Sequence, residues 1–283
     1  MRTMTFDSSW RLAAALAATV ILTGAAPQPA PPAETTPVPH RAIYRIDLAD
    51  SQNRSGITGA DGRMVFEVAG NACEGYTMSQ RLVVRLSAEE GADRILDFRV
   101  STFEAGDGDL YRFISKTMMN DRVVEEVQGS ARRSGRGLDV RLQNPNEKMV
   151  KIVGSPLFPS QHLHALIAAA RTDQRFFSTS IYEGAGTGEK ADTATAAIGT
   201  PERDQASEPL TKGKTRWPVS IAYFSQDFDD NQEFGEETPV YQMNFLLYEN
   251  GVTRELVMNY GDYALSGTLE SITALEEESC SSR

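Results

Sequence analysis

The stretch Gly154–Arg171, GSPLFPSQHLHALIAAAR, decides how the rest of the chain is read. It has a helical period in a sequence that otherwise reads as strand after strand. Pro159 followed by Ser160 is a start signal, with Ser160 as the expected N-cap. Leu163, Leu166, Ile167 and Ala170 fall at i, i+3, i+4 and i+7, which a helix gathers into one apolar stripe. Strand patterns flank the segment on both sides, so the expectation is a single helix laid against a large curled sheet.

The last hairpin shows the strand pattern best. Asn250-Gly251 predicts a type I′ turn in which Glu249 faces Val252. Counting outward, Phe245 faces Leu256, Met243 faces Met258 and Tyr241 faces Tyr260. Apolar side chains then meet along one face, as a half-buried sheet requires. Similar runs recur upstream, at Ala42–Leu48, Met64–Val68, Leu82–Leu86, Ile95–Phe103, Leu110–Met118 and Val123–Ala131. Asn120-Asp121 supplies hairpin chemistry between the last two. Ser51–Asp61 reads as a polar loop, and Gly199–Arg216, which lacks periodicity, as a long mobile one. The count is about fourteen strands at hairpin spacing, which predicts a mostly-β fold built on an antiparallel meander. A sheet that long twists and must curl, and the helix is the obvious filler of its hollow.

The N-terminus reads as a processing segment. Arg2 and Arg11 make a positive n-region ahead of a short apolar run, Leu12–Leu22, and Gly24-Ala25-Ala26 offers a cleavage site, so residues 1–26 are expected to be a signal peptide. Residues 27–39, PQPAPPAETTPVP, are expected to be an extended linker, and residues 40–283 a single domain. No later stretch is apolar enough to span a bilayer as a helix. The expected protein is an exported monomer. Its formal charge of −11 argues against nucleic acid as a partner. Two cysteines, Cys73 and Cys280, remain after cleavage. An even count in an oxidising compartment favours a disulfide, with free thiols or bridges between molecules as the alternatives.

Catalytic constellations are not visible. No G-x-S-x-G elbow occurs, and Gly184–Lys190 lacks the Gly-Lys-Ser/Thr ending of a phosphate loop, so it reads as a flexible turn. His162 and His164, two apart on a helix, project about 200° from one another and cannot easily share a metal. His162 is expected at the rim of the stripe in a structural hydrogen bond. Asp227–Asn231 resembles the start of a calcium loop, but Gln232 and Thr238 stand where glycine and glutamate are needed. Arg132, Arg133 and Arg136 read as a solvated turn. No metal, cofactor or enzymatic activity is expected.

Several stretches resemble the EipB-like family of periplasmic cell-envelope-integrity proteins. They are His40-Arg41-Ala42-x-Tyr44, Ser55–Gly59 through Gly62–Val65, Cys73-Glu74-Gly75-Tyr76, Leu157–His162 and the C-terminal cysteine. The resemblance implies a β-spiral of about fourteen strands with a helix in its concavity, a length at which a sheet curls. It also implies a periplasmic location and a disulfide between Cys73 and Cys280. The family's fold is similar to that of periplasmic carriers and sensors of lipoproteins and lipids, and its role is in maintaining the Gram-negative envelope. The expected function is then non-enzymatic support of the envelope, by binding a lipid, a lipoprotein or a protein partner in or on the curled sheet. The candidate ligand-binding residues are Leu163, Leu166 and Ile167 of the helix and Tyr241, Met243, Phe245, Leu256 and Met258 of the last hairpin; the competing reading makes them plain core. The alternatives are a scaffold that docks partners through Pro27–Pro39 and Gly199–Arg216, and an envelope-polymer hydrolase, which needs paired carboxylates in a cleft.

Overall fold

The computed structural model describes residues 37–205, 207–225, 238–276 and 280. The expected signal peptide, most of the linker and the calcium-like turn at Asp227–Asn231 lie outside them. The described chain forms one antiparallel sheet, one α-helix and a three-residue 3-10 helix, Asn53–Ser55. The first half runs β1 (His40–Ser51), β2 (Ile57–Asn71), β3 (Gly75–Ala88), β4 (Arg94–Glu104), β5 (Leu110–Met119), β6 (Arg122–Ser134), β7 (Gly137–Asn144) and β8 (Lys148–Val153). Helix α1 (Pro159–Arg171) follows. The second half runs β9 (Phe176–Ile181), β10 (Asp192–Ile198), β11 (Glu202–Arg203), β12 (Thr215–Ser225), β13 (Tyr241–Tyr248), β14 (Thr253–Asn259) and β15 (Tyr263–Ala274).

The order is β8-β7-β6-β5-β4-β3-β2-β1-β15-β14-β13-β12-β10-β9, with two-residue β11 pairing β12 off this path. The first and last strands therefore pair in the middle of the sheet, and its two edges are the strands on either side of α1. The edges do not pair with each other; a single bridge, Leu157 to Ile181, ties the approach to α1 onto β9. Alternation sets which face is inside: on β1, Ala42, Tyr44 and Ile46 are buried while Arg41 and Arg45 are exposed. Leu166, Ile167, Ala169 and Ala170 of α1 pack into a core drawn from β1–β3, β9, β10 and β12–β15. A second, smaller core joins β5–β8 to Phe158, Tyr182 and Ala191.

Cys73 and Cys280 form a disulfide, with Cα atoms 5.8 Å apart across 207 residues. Asn71 Oδ1 accepts the backbone N–H groups of Cys73 and Glu74, both at 2.8 Å, and shapes the β2–β3 corner. Gly75 takes φ 116° there, and a Cβ would collide with the Glu104 carbonyl, which explains the glycine of the Cys-Glu-Gly-Tyr motif.

Several expectations need correcting. Ser160 is not the N-cap of α1: Phe158 is, with Pro159 in the first turn. The free N–H groups find side-chain acceptors, one distant and one local. Glu104 Oε2 takes the Ser160 N–H at 2.9 Å, and Gln161 Oε1 takes the Phe158 N–H at 3.1 Å. Arg132 and Arg136 are exposed, but Arg133 is half-buried and tied down. It donates to Gln161 Oε1 at 2.7 Å and to Pro156 O at 3.1 Å, and its guanidinium lies 4.7 Å from the centre of the Phe158 ring. The polar loop after β1 is shorter than expected, because β2 begins at Ile57. Pro37 and Pro39, expected in the linker, are buried, and Val38 N–H donates to Asn250 O at 3.0 Å.

The stretch Gly199–Arg216 is pinned rather than loose. It contains β11, and its Asp204 is buried, accepting the Tyr248 hydroxyl at 3.0 Å near Arg216 and Arg254. The β13–β14 turn differs as well. Tyr248, not Glu249, faces Val252 across the three-residue loop Glu249–Gly251. A register shift follows, with Glu255 at φ 54°. That shift restores the expected pairing Met243–Met258, while Leu246 faces Arg254. Asn250 explains the departure: Val38 binds its carbonyl, and its side-chain nitrogen donates to Leu210 O at 3.0 Å. Tertiary contacts thus replace the local turn preference.

Candidate functional site

Between α1 and the inner faces of β12–β14 lies a hollow of about 220 Å³. Leu163 and Leu166 reach it from α1, Tyr241, Met243 and Phe245 from β13, and Leu256 and Met258 from β14. These seven are candidates from the sequence; the eighth, Ile167, is fully buried in the core and does not line the hollow. The reason is angular. His162, Leu166, Pro159 and Leu163, which line the hollow, fall within about 100° of one another, and Ile167 lies about 40° past Leu163, just outside that arc. Tyr44 and Met64 from β1 and β2 and Ile221 and Tyr223 from β12 complete much of the wall.

The polar groups were not legible as a set. His162 of α1 and Glu183, two residues past β9, both line the hollow. His162 is 5 % exposed and its Nε2 has no hydrogen-bond partner among the described residues, so the expected structural hydrogen bond is absent there. Its ring lies 5.8 Å from that of Phe177. Burial pulls His162 down to about 4, so the ring is neutral at neutral pH. Glu183 is half-buried and lines the hollow. Its carboxyl is pushed up to about 7, mainly by burial and further by the charge of Asp192 on β10. Burial raises Asp192 as well. A carboxyl poised near neutrality can hold or release a proton at working pH. Among the described lining residues there is no lysine, arginine, serine or cysteine, so no nucleophile of those types accompanies it.

Tyrosines continue the wall. The Tyr223 and Tyr241 rings are 5.7 Å apart, Tyr241 and Tyr260 5.2 Å, and Tyr260 and Tyr263 5.2 Å. Tyr260, which follows β14, is 39 % exposed, so the row runs from the hollow to the protein surface. Burial raises Tyr223 and Tyr241, and the charge of Glu183 adds to both. Alternation in β12 and β13 is the sequence signal that could have placed Tyr223 beside Tyr241, since the two pair directly across the strands. Nothing local marks Glu183.

No group of three or more His, Cys, Asp or Glu side chains suited to a metal occurs among the described residues. No helix of the described chain is long and apolar enough to cross a membrane.

Known proteins resemble this chain in sequence and in fold. A cell envelope integrity protein from Brucella abortus, EipB, is 38% identical over 236 residues, 82% of each chain. The crystal structure of a β-barrel-like protein of a domain of unknown function, also from Brucella abortus, matches with a TM-score of 0.79 and 34% identity. It covers 86% of this chain and 100% of that one. The EipB-like family model matches residues 32–276, and the chain is a member of that family.

Proposed function

We propose that this protein is a non-enzymatic periplasmic component that supports the integrity of the Gram-negative cell envelope by holding one apolar chain, from a lipid or a lipoprotein, in the hollow beneath α1. The envelope role rests on membership of the EipB-like family and on its envelope-integrity relative. The binding role rests on one observation: an apolar wall of methionine, leucine and aromatic side chains surrounds open space where a plain core would be filled. At about 220 Å³ the hollow is smaller than the ~300–1,000 Å³ of drug-sized sites, which favours a single chain over a two-chain lipid. Methionines suit such a wall because their unbranched thioethers adapt to varied chains.

Native mass spectrometry of protein purified from the periplasm tests this directly. The expected spectrum carries an added lipid or acyl mass, removed by mild organic extraction and restored by a fluorescent fatty alcohol. An unadorned mass together with no uptake of that probe would overturn the binding role.

A further inference from the structure

Several polar groups in the hollow are electron-rich, and the others, Gln80 and Thr253, are neutral. Glu183 offers a carboxyl, Tyr223 and Tyr241 line the hollow with their rings, and His162 has a ring nitrogen with no partner among the described residues. Asp192 adds a second carboxyl close enough to act on Glu183. No lysine or arginine stands among the described lining residues. Electron-rich groups therefore collect at one place without a cation to meet them. An anionic end, such as a carboxylate or phosphate, would find repulsion and no charged donor there. A cationic end would find a carboxylate and aromatic rings, which favour ammonium, and a neutral imidazole whose Nε2 accepts when its proton sits on Nδ1.

We propose that the hollow selects its ligand by charge, taking an amphiphile with a primary ammonium group that docks on Glu183 beside Tyr223, Tyr241 and the free nitrogen of His162. The inference rests on the reading of the hollow as an apolar-chain site and adds the chemical class of the ligand. The buried state of Glu183 agrees with it. With no cation present the carboxyl keeps a proton to about pH 7, and a bound ammonium takes the place of that proton. The geometry supplies the rest, because the apolar wall of Leu163, Met243 and Met258 continues from the polar groups and accommodates the chain.

Three probes with one tail and different heads separate the possibilities: octylamine, octan-1-ol and octanoate, titrated calorimetrically at pH 8 into the delipidated protein. The expected order is octylamine first, octanol about tenfold or more weaker, and octanoate weakest, since a charge-assisted hydrogen bond exceeds a neutral one by roughly that factor. Glu183→Gln should bring octylamine down to the affinity of octanol while leaving octanol unchanged. The variant's melting curve reports that it has folded, and the wild-type comparison stands without it. Equal or tighter binding of octanol or octanoate to the wild type would overturn the charge selection while leaving the apolar-chain reading intact. Absence of binding by all three probes would overturn both.

Discussion

Two groups of tyrosines meet at Glu183, and they are built differently. In the smaller core Tyr111 stacks on Phe158 at 5.1 Å, and Tyr182 meets Tyr111 and Phe113 edge-on at 6.2 and 5.8 Å. Both hydroxyls are used, Tyr111 donating to Glu183 O at 3.1 Å and Tyr182 to Gly188 O at 2.8 Å. On the other side, Tyr223 and Tyr241 line a space, and the row they begin reaches the surface at Tyr260. Composition does not separate the two, since both are aromatic and on or next to strands. Closure does. The first group is shut by Gly184 and Gly188, where a Cβ would run into Phe113 or Leu142, so backbone packs directly on rings. The Gly-rich stretch expected to be a flexible turn is thus a fitted lid. The second group faces the one helix across a gap that leucine and methionine leave incompletely filled. One region is organised for stability, the other gives up packing and so has room for a ligand.

The largest effect should come from the clasp. Cys73 follows β2 and Cys280 follows β15, the strands on either side of β1, which sends Tyr44 into the hollow. Cys73→Ala or Cys280→Ala should lower the melting temperature, with a chain-entropy ceiling of roughly 5 kcal/mol for so long a loop. Hydrogen exchange should rise in β1, β2 and β15 while β6 and β7 stay protected. If β6 and β7 lose protection first, the two regions are not separately held. Next in size is a paired substitution. Phe158→Ala in the closed core should cost about 3–5 kcal/mol, whereas Met243→Ala, half-buried on the wall of the hollow, should cost under about 2 kcal/mol. Equal costs in denaturant unfolding would mean that the hollow is packed as tightly as the core.

The same contrast explains what was legible in the sequence. The sheet was, because a period of two fixes which side chains share a face: Met243 opposes Met258 although the turn between them was misassigned. Its error cancelled at the Glu255 bulge, so the apolar match survived. The apolar wall was legible for the same reason, and Ile167 was misplaced only because a stripe does not say which of its edges faces a gap. The cap of α1 and the role of Arg133 were hidden, since Glu104 reaches the Ser160 N–H from β4 and Arg133 reaches Gln161 from β6, contacts that only the fold makes. Glu183 was hidden more deeply. A glutamate followed by Gly-Ala-Gly looks like the start of a solvated turn, and its environment comes from α1, β10, β12 and β13, which only the fold brings together. Charge at a buried site is a tertiary property, whereas apolar alternation is a local one.

The smallest expected effect isolates that charge. In the fold Glu183 holds its proton to about pH 7, while an unfolded glutamate releases it from 4.5. Between these values the unfolded chain binds fewer protons than the folded one, so stability must fall as pH rises and level off above pH 7. A displacement of that size corresponds to at most roughly 3 kcal/mol, and because Glu183 is only half-buried the effect stays below this ceiling. Glu183→Gln retains the size and removes the titration. The variant should therefore gain on the wild type between pH 4.5 and 7 and keep the whole gain at pH 8, measured by urea unfolding across that range. Tyr182→Phe, in the closed core, should leave the pH slope as it is while costing about 1 kcal/mol at every pH for the lost hydrogen bond. A gap between wild type and Glu183→Gln that stays constant with pH would mean that Glu183 is ionised in the fold, and the hollow would then be as well solvated as the outer surface.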